Sequence, residues 1–300
     1  MKKYLLFSIL LFLLSNLAFS QGPNSRTRSF IIGAGSGAAF YFGDLAKDGS
    51  FEHVKPNVAL SARYNFSGNN NFLDNVSVES QFTWFMLTGN DKKDPVKEMR
   101  NLSFTSHNFE LNLLGHVSLF PEASRFYQRP FANPYAYVGI GLVNFNPAAK
   151  LEGERYNLRR LETEGPENSY GSFTMSIPMG LGVKFRASPF LNINLDGGFR
   201  WVLSDYLDDV SSGHYPEPTS FDSEEARLLS DRTWELGISP TWAEQGKEFR
   251  GNPDERDAYL ILNIRVEYFF GNVAAGSSSG FRSGKGRKPK PYRPRKIRRR

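Results

Sequence analysis

The feature that most constrains this chain is a series of segments, each about ten residues long, in which apolar residues alternate with small or polar ones. The second segment is typical, because Val58, Leu60 and Ala62 alternate with Ser61 and Arg63. Successive side chains of a β-strand point to opposite faces, so a period of two gives each segment one apolar and one polar face. This pattern predicts membrane-spanning strands whose apolar face contacts lipid.

Eight segments follow the pattern, and we expect an all-β fold, an eight-stranded antiparallel transmembrane barrel of the outer membrane. They span residues 29–42, 57–66, 76–86, 108–119, 135–145, 173–185, 191–201 and 259–270.

Outer-membrane barrels have short periplasmic turns and longer external loops. The predicted periplasmic links are 67–75, 120–133 and 187–189, and the predicted external links are 43–56, 87–106, 146–171 and 202–257. The last link contains good helix formers and a predicted helix at 223–231. Pro178 weakens the sixth segment because proline cannot donate to a strand ladder.

A soluble β-sandwich or a lipocalin-like barrel also alternates, but it turns its apolar face inward. The membrane barrel is favoured because the second face is small or polar in nearly every segment. Aromatic residues near the segment ends would form the girdles seen at membrane interfaces.

The two ends of the chain differ from the body. Residues 1–20 combine Lys2 and Lys3, an apolar run and small residues before Gln21, which predicts a secretory signal peptide. Residues 21–28 form an N-terminal segment, 29–270 the barrel and 271–300 a disordered tail. The chain has no cysteine, which excludes disulfides, thiol catalysis and a lipid-anchored cysteine.

Charge is divided unevenly, although the formal net charge is only +6. Eleven of the 37 Lys and Arg residues lie in 271–300, where there is no acid, so the body is net negative. We expect this tail to remain in the periplasm and to contact peptidoglycan or an acidic partner, because export makes nucleic-acid binding improbable. The tail contact candidates are Lys288, Lys290, Arg293, Arg295 and Arg298.

Charged residues on the inward faces are balanced in sign. These predicted lumen charges are Arg63, Glu79, Glu110, Lys184, Asp196, Arg200, Arg265 and Glu267. Because buried charges must be paired, the favoured interpretation is a plug of ion pairs, and the alternative is a narrow solute path.

A lipid-modifying barrel enzyme is an alternative that rests on His116, Ser118 and Glu110, since Ser, His and a carboxylate can form a nucleophile with its base. The polar lumen explains these residues more simply, so no catalytic residue, metal or cofactor is predicted. The acidic stretch 204–211 lacks the twelve-residue calcium loop. Gly33, Gly35 and Gly37 lie within a strand, which does not fit a dinucleotide-binding turn.

Several motifs resemble the PorG-like outer-membrane proteins of Bacteroidetes-type bacteria. They are Tyr-Phe-Gly-Asp-Leu at 41–45, Gly-Leu-Gly-Val-Lys-Phe at 180–185, Gly-Phe-Arg at 198–200 and Asp-Tyr-Leu-Asp-Asp-Val-Ser at 205–211. The family-like residues are Tyr41, Gly43, Asp44, Tyr206, Asp208 and Asp209. The resemblance extends over residues 29–272, and the motif at 205–211 is its most distinctive part.

The resemblance implies a non-enzymatic accessory protein of the type IX secretion machinery, which supports gliding motility in some species. It also implies that the barrel anchors a periplasmic PorK/PorN-like ring to the outer-membrane lipid. The basic tail is not part of this resemblance, which ends at residue 272. The alternatives are a small-solute porin and an adhesin-like barrel.

Overall fold

All eight predicted segments form β-strands in the computed structural model, which describes residues 29–46, 53–66, 72–94, 97–121, 129–237, 250–252 and 256–270. The strands are β1 Ser29–Phe42, β2 Lys55–Asn65, β3 Val76–Asn90, β4 Ser103–Ser118, β5 Ala132–Asn144, β6 Pro147–Leu151, β7 Glu154–Asn157, β8 Phe173–Arg186, β9 Leu191–Val202 and β10 Ala258–Phe270. The predicted signal peptide, the segment 21–28 and the tail 271–300 lie outside the described residues.

The eight long strands close into an antiparallel barrel in the ring order β1-β2-β3-β4-β5-β8-β9-β10. Closure comes from β1 and β10, which pair from Phe30 opposite Phe270 to Phe42 opposite Ala258. The predicted fold class is therefore confirmed. Among the described residues, no helix is both long and apolar enough to cross a membrane.

The two faces of the wall have the predicted polarity. Outward side chains such as Leu60, Leu181 and Ile264 are more than half exposed, whereas inward Arg63 and Asn194 are buried. A soluble barrel would show the opposite distribution, because its apolar face would be the buried one. An apolar exterior around a polar interior is the arrangement of a transmembrane barrel.

Two parts of the strand prediction need correction. Strand β3 continues to Asn90 and β4 begins at Ser103, so the predicted external link 87–106 shrinks to 91–102. The predicted link 146–171 also contains the hairpin of β6 and β7. In this hairpin, β6 pairs with β4 beyond the part of β4 that pairs with β5. These two strands are only five and four residues long, too short for alternation to identify them.

The long links fold into a cap over one mouth of the barrel. Short helices occur there at α1 Leu158–Leu161 and α2 Glu224–Ser230. Helix α2 confirms the prediction at 223–231, and the Ser223 hydroxyl accepts a hydrogen bond from the Ala226 amide as its N-cap.

An apolar core joins the cap to the upper part of the lumen. The strands contribute Ala39, Tyr41, Phe85, Leu87, Phe104, Val143, Val202, Tyr259 and Ile261, and the links contribute Leu45, Leu102, Phe145, Leu158, Leu207, Val210 and Leu229. The interior is therefore more apolar on the side of the cap than on the side away from it. The apolar inward residues near the cap pack against the folded links rather than against water.

We predict that Ile264→Arg destabilises the barrel in lipid vesicles by about 2–4 kcal/mol, because a charge in the middle of a lipid-facing strand must leave water. Urea unfolding of reconstituted protein measures the change. Glu152→Arg in the exposed β6–β7 turn is the control and should leave stability within about 0.5 kcal/mol of the parent. Equal effects of the two substitutions would contradict a lipid-facing position for Ile264.

Candidate functional site

The polar part of the lumen is filled by the side chains that alternation predicted to face inward. All eight predicted lumen charges are buried: Arg63, Glu79, Glu110, Lys184, Asp196, Arg200, Arg265 and Glu267.

Glu79 is the centre of one ion-pair network. Its two carboxylate oxygens accept hydrogen bonds from Arg63 Nε, at 2.6 Å, and from Arg265 Nη1. Arg63 Nη2 also donates to Glu267 Oε1 at 2.6 Å, and Arg265 Nε donates to Asp196 Oδ2 at 3.0 Å. Five alternating charges from β2, β3, β9 and β10 are thus connected across the lumen.

A second group of buried charges lies nearer the cap. Glu110 Oε1 accepts hydrogen bonds from Ser176 Oγ at 2.8 Å and Tyr259 OH at 2.7 Å. Arg200 Nε lies 3.5 Å from Glu110 Oε2. This group ties β4 to β8, β9 and β10, none of which pairs with β4.

These contacts favour a paired-charge plug over a narrow solute path. An eight-stranded barrel is only just wide enough for its interior side chains, and two such networks occupy its cross-section. Each buried charge also needs its partner, because an isolated one would carry a large desolvation cost. Ion pairs therefore occupy the polar part of the lumen.

The structure does not support the enzymatic alternative. Glu110 and His116 are six residues apart on the same face of β4, which separates them by about 20 Å. His116 Nε2 instead faces Glu79 at 3.7 Å, and its ring centroid lies 5.2 Å from that of Tyr135 and 5.4 Å from that of Tyr137. The carboxylate, the imidazole and Ser118 therefore do not form a triad.

The family-like residues come together in the cap around one tyrosine hydroxyl. Tyr41 OH lies 2.6 Å from Asp208 Oδ2 and 2.6 Å from Asp257 Oδ1. A tyrosine hydroxyl has one hydrogen to donate. It can donate to only one of the two carboxyls, so both contacts are hydrogen bonds when the other carboxyl carries a proton and donates to the tyrosine oxygen.

Burial explains why this cluster retains a proton. Burial and the neighbouring carboxyls of Asp257 and Asp44 raise the pKa of Asp208 well above its ordinary value. Burial, with Asp205 and Asp44 nearby, raises the pKa of Asp257 in the same direction. Burial also raises the pKa of Asp205 to about 7.

Gly43 makes room for this cluster. A Cβ atom at this position would collide with the Tyr41 hydroxyl and with Asp257 Oδ1. Asp44 follows directly, and its Oδ2 accepts a hydrogen bond from the Asn252 amide at 2.9 Å. The segment 41–44 and the later loop are thus linked through buried carboxyls.

The remaining family-like residues lie beside this cluster. Tyr206 stacks on Tyr170 with ring centroids 4.4 Å apart, and Tyr170 OH donates to Asp209. Asp209 has a positive φ of 70° and also accepts a hydrogen bond from Thr163 Oγ1. The loop after β9 is therefore fixed to the link that follows β7.

Two buried arginines complete the cap, and the sequence did not identify them. Arg250 forms an ion pair with Glu164 and donates to the Asp209 carbonyl oxygen at 2.7 Å. Arg100 Nη2 lies 2.7 Å from Asp91 Oδ1 and also donates to the Asp44 carbonyl oxygen at 2.8 Å. Asp257 was missed for the same reason: all of these residues lie in links without periodicity.

The tail contact candidates Lys288, Lys290, Arg293, Arg295 and Arg298 lie outside the described residues. Among the residues that the structure does describe, no group of three or more His, Asp or Glu side chains is arranged to hold a metal ion.

Solved structures of outer-membrane barrels resemble this chain at low identity. Neisserial surface protein A is 9% identical with a TM-score of 0.39, and the alignment covers 80% of this chain and 96% of that one. Ail of Yersinia pestis is 12% identical with a TM-score of 0.37, covering 82% and 99%. Outer membrane protein W of E. coli is 12% identical with a TM-score of 0.33, covering 82% and 100%.

No protein-family model matches the sequence, and no curated protein matches it. At these TM-scores the fold is established by the closed strand order and not by the similarities.

We predict that Glu79→Gln lowers the free energy of unfolding by about 3–5 kcal/mol, because it leaves two buried guanidiniums without their shared carboxylate. Urea unfolding in detergent micelles measures the loss. Glu154→Gln on the exposed hairpin makes the same chemical change and should have little effect. Equal unfolding free energies for the two variants would contradict the network.

We predict that the cap loses stability as pH rises. A carboxyl whose pKa is raised on folding stabilises the fold fully below its unfolded pKa of about 3.9, and this contribution declines as pH rises toward the folded pKa. Hydrogen exchange of residues 203–211, corrected for intrinsic rates, should be at least about tenfold faster at pH 8 than at pH 5, the equivalent of one pKa unit.

The matched variant is Asp257→Asn, which mimics the protonated carboxyl. Its amide oxygen can accept from the Leu207 amide, as Asp257 Oδ2 does at 2.8 Å, and its NH₂ can donate to Tyr41. The pH dependence should therefore shrink in this variant, while Asp257→Ala should weaken the cap at every pH. A pH dependence unchanged by Asp257→Asn would exclude this cluster as its source.

Proposed function

We propose that this protein is a non-enzymatic outer-membrane barrel that anchors a periplasmic part of the type IX protein secretion machinery. The observation that supports this role most is the sealed interior. Ion pairs cross the lumen and the folded links cover one mouth, so the barrel offers a rigid body in lipid instead of a passage. A rigid membrane body suits attachment of a larger assembly.

The assignment to type IX secretion rests on the resemblance to PorG-like proteins. In this chain, Tyr41, Gly43, Asp44 and Asp208 lie around one buried cluster. Residues that are far apart in the sequence therefore contribute to the same folded cap. In the proposal, the cap faces outward from the cell, and the short turns and the tail 271–300 face the periplasm and a PorK/PorN-like ring.

An adhesin-like barrel is the second candidate, and the cap is the observation that favours it. Ordered external links with exposed charged positions, such as Lys150, Glu154 and Arg155 on the hairpin, offer a surface for contact outside the cell. Deletion of the gene separates the two candidates. Loss of type IX secretion supports the anchor, and intact secretion with lost surface attachment supports the adhesin.

We predict that deletion of residues 271–300 leaves the barrel inserted but weakens salt-sensitive co-purification of periplasmic proteins from native membranes. The reason is that eleven positive charges would be removed from the periplasmic side. Mass spectrometry of proteins retained in mild detergent at low and at 0.5 M salt is the measurement.

The matched control keeps the tail and changes five cations to glutamine at Lys288, Lys290, Arg293, Arg295 and Arg298. It should reproduce most of the loss if charge is responsible. Retention of the same partners by both variants would contradict a role of the tail in anchoring.

A further inference from the structure

A layer of polar side chains lies in the middle of the lumen. This middle layer consists of Asn57, Gln81, Thr83, Asn112, Tyr137 and Arg200, which are all buried. On one side of it is the apolar core beneath the cap. On the other side is the Glu79 network, which consists of Arg63, Glu79, Asp196, Arg265 and Glu267. Strand β3 shows this order, because Gln81 and Thr83 come between Glu79 and the core residue Phe85 on its inward face.

Several buried polar atoms of the middle layer lack a protein partner. In the part of the chain that the structure describes, no hydrogen bond reaches seven of them: Asn57 Oδ1, Gln81 Oε1, Thr83 Oγ1, Asn112 Oδ1, Asn112 Nδ2, Tyr137 OH and Arg200 Nη2. Roughly nine in ten buried polar groups in proteins are hydrogen-bonded, either to protein or to ordered water. Seven such atoms in one layer therefore indicate that a further molecule binds there.

The strand register brings these atoms close to one another. Gln81 of β3 and Asn112 of β4 are directly opposite each other, so their amides are neighbours on the inward face. Tyr137 OH and the Arg200 guanidinium meet at Gly198, where a Cβ atom would collide with the tyrosine hydroxyl. Arg200 Nη1 donates to the Gly198 carbonyl oxygen, which leaves Nη2 for another acceptor.

Apolar packing closes the middle layer on the side of the cap. Phe85 stacks on Tyr259 with ring centroids 4.7 Å apart, and Val143 and Val202 belong to the same buried core. Protein cores are close-packed and offer few voids as large as a water molecule. The core therefore separates the middle layer from solvent on this side.

The Glu79 network closes the other side. Its ion pairs join β2, β3, β9 and β10. Two further strands contribute at this level, because His116 Nε2 of β4 lies 3.7 Å from Glu79 and Tyr135 OH of β5 lies 3.5 Å from Arg265 Nη2. Six of the eight strands thus place side chains between the middle layer and the mouth opposite the cap.

We propose that the middle layer binds a small cluster of water molecules in a compartment that is closed at both ends, with the Glu79 network as its seal toward the mouth opposite the cap. A buried water makes about three hydrogen bonds, so the seven atoms correspond to about two or three waters. Water suits this set because it both donates and accepts, and the set contains acceptors such as Asn57 Oδ1 and donors such as Arg200 Nη2.

This inference goes beyond the proposed function. It rests on the lumen alone and holds whether or not the barrel anchors secretion proteins.

The first test measures contact between water and side-chain amides by NMR, with isotope-labelled full-length protein in nanodiscs of deuterated phosphatidylcholine. Asn194 is the matched control, because its Nδ2 donates to Glu267 Oε1 at 2.8 Å and its Oδ1 accepts from Tyr135 OH at 2.9 Å. We expect cross-relaxation with water at the Asn112 amide and none at the Asn194 amide, and Asn112→Leu assigns the signal. Any other pattern would overturn a water cluster confined to the middle layer.

The second test measures closure with single thiols, since the chain has no cysteine. Thr83→Cys lies in the middle layer, and Glu152→Cys lies in the exposed β6–β7 turn. The reagent is methyl methanethiosulfonate, which is small and neutral. We expect Thr83→Cys to react at least about a hundredfold more slowly than Glu152→Cys, because its reaction must wait for a local opening. Equal rates would show a lumen open to solutes and overturn the closed compartment.

The seal is tested by a second substitution beside Thr83→Cys. Glu79→Gln should speed the reaction at least about tenfold, because Arg63 and Arg265 lose their shared carboxylate. Glu110→Gln is the matched control, since it removes the same buried charge on the side of the cap and lies directly opposite Thr83. It should change the rate less than about threefold, because the apolar core remains in place.

Glu79→Asp serves if Glu79→Gln does not fold, since it keeps the charge on a shorter side chain and should change the rate in the same direction. Equal acceleration by the substitutions at Glu79 and Glu110 would mean general loosening of the barrel and would overturn the seal. Unchanged rates in both variants would overturn it as well.

Discussion

In a lipid bilayer every backbone amide and carbonyl must find its partner within the protein, and this constraint determines the rest of the structure. The chain satisfies it by joining its first strand to its last. The pairing of β1 with β10 removes both edges of the sheet, so that every long strand has two neighbours. Once the ring is closed, alternation along each strand assigns one side chain to lipid and the next to a narrow interior.

That interior cannot be filled in the way a soluble core is filled. The half away from the cap contains charges, and Arg63, Glu79 and Arg265 share partners across the ring. The half beneath the cap contains aromatic and aliphatic residues, with Phe85 stacked on Tyr259 at a centroid distance of 4.7 Å. Ion pairs between distant strands fix the barrel, and the apolar half gives the links a surface on which to fold.

The positions of the strands could be predicted from the sequence because lipid-facing and lumen-facing residues alternate with a period of two. The bounds of β1 were predicted to the residue, and the inward faces of β2 and β9 were read correctly from alternation. The cap was not accessible in this way. The contact of Tyr41 with Asp208 and Asp257 joins residues 167 and 216 positions apart, and no local pattern encodes such a meeting.

The predicted ends of β3 and β4 were wrong for the same reason, because no local pattern encodes their contacts with the cap. Leu87 and Phe104 lie within the predicted external link 87–106. They are inward residues of β3 and β4 that pack against the cap. Resemblance to a family identified Gly43 and Asp44, but only the structure shows that their neighbourhood is a buried cluster of carboxyls.

The most direct test of the account is the membrane depth of outward residues, and the absence of cysteine makes it simple to perform. Nitroxide labels at Leu262→Cys, Ile264→Cys and Val266→Cys in vesicles can be compared with a label at the exposed Glu152→Cys. The account predicts high collision rates with oxygen and low rates with a water-soluble nickel reagent for the three β10 labels, and the reverse for Glu152. Equal access of the nickel reagent to all four labels would contradict a lipid-facing wall.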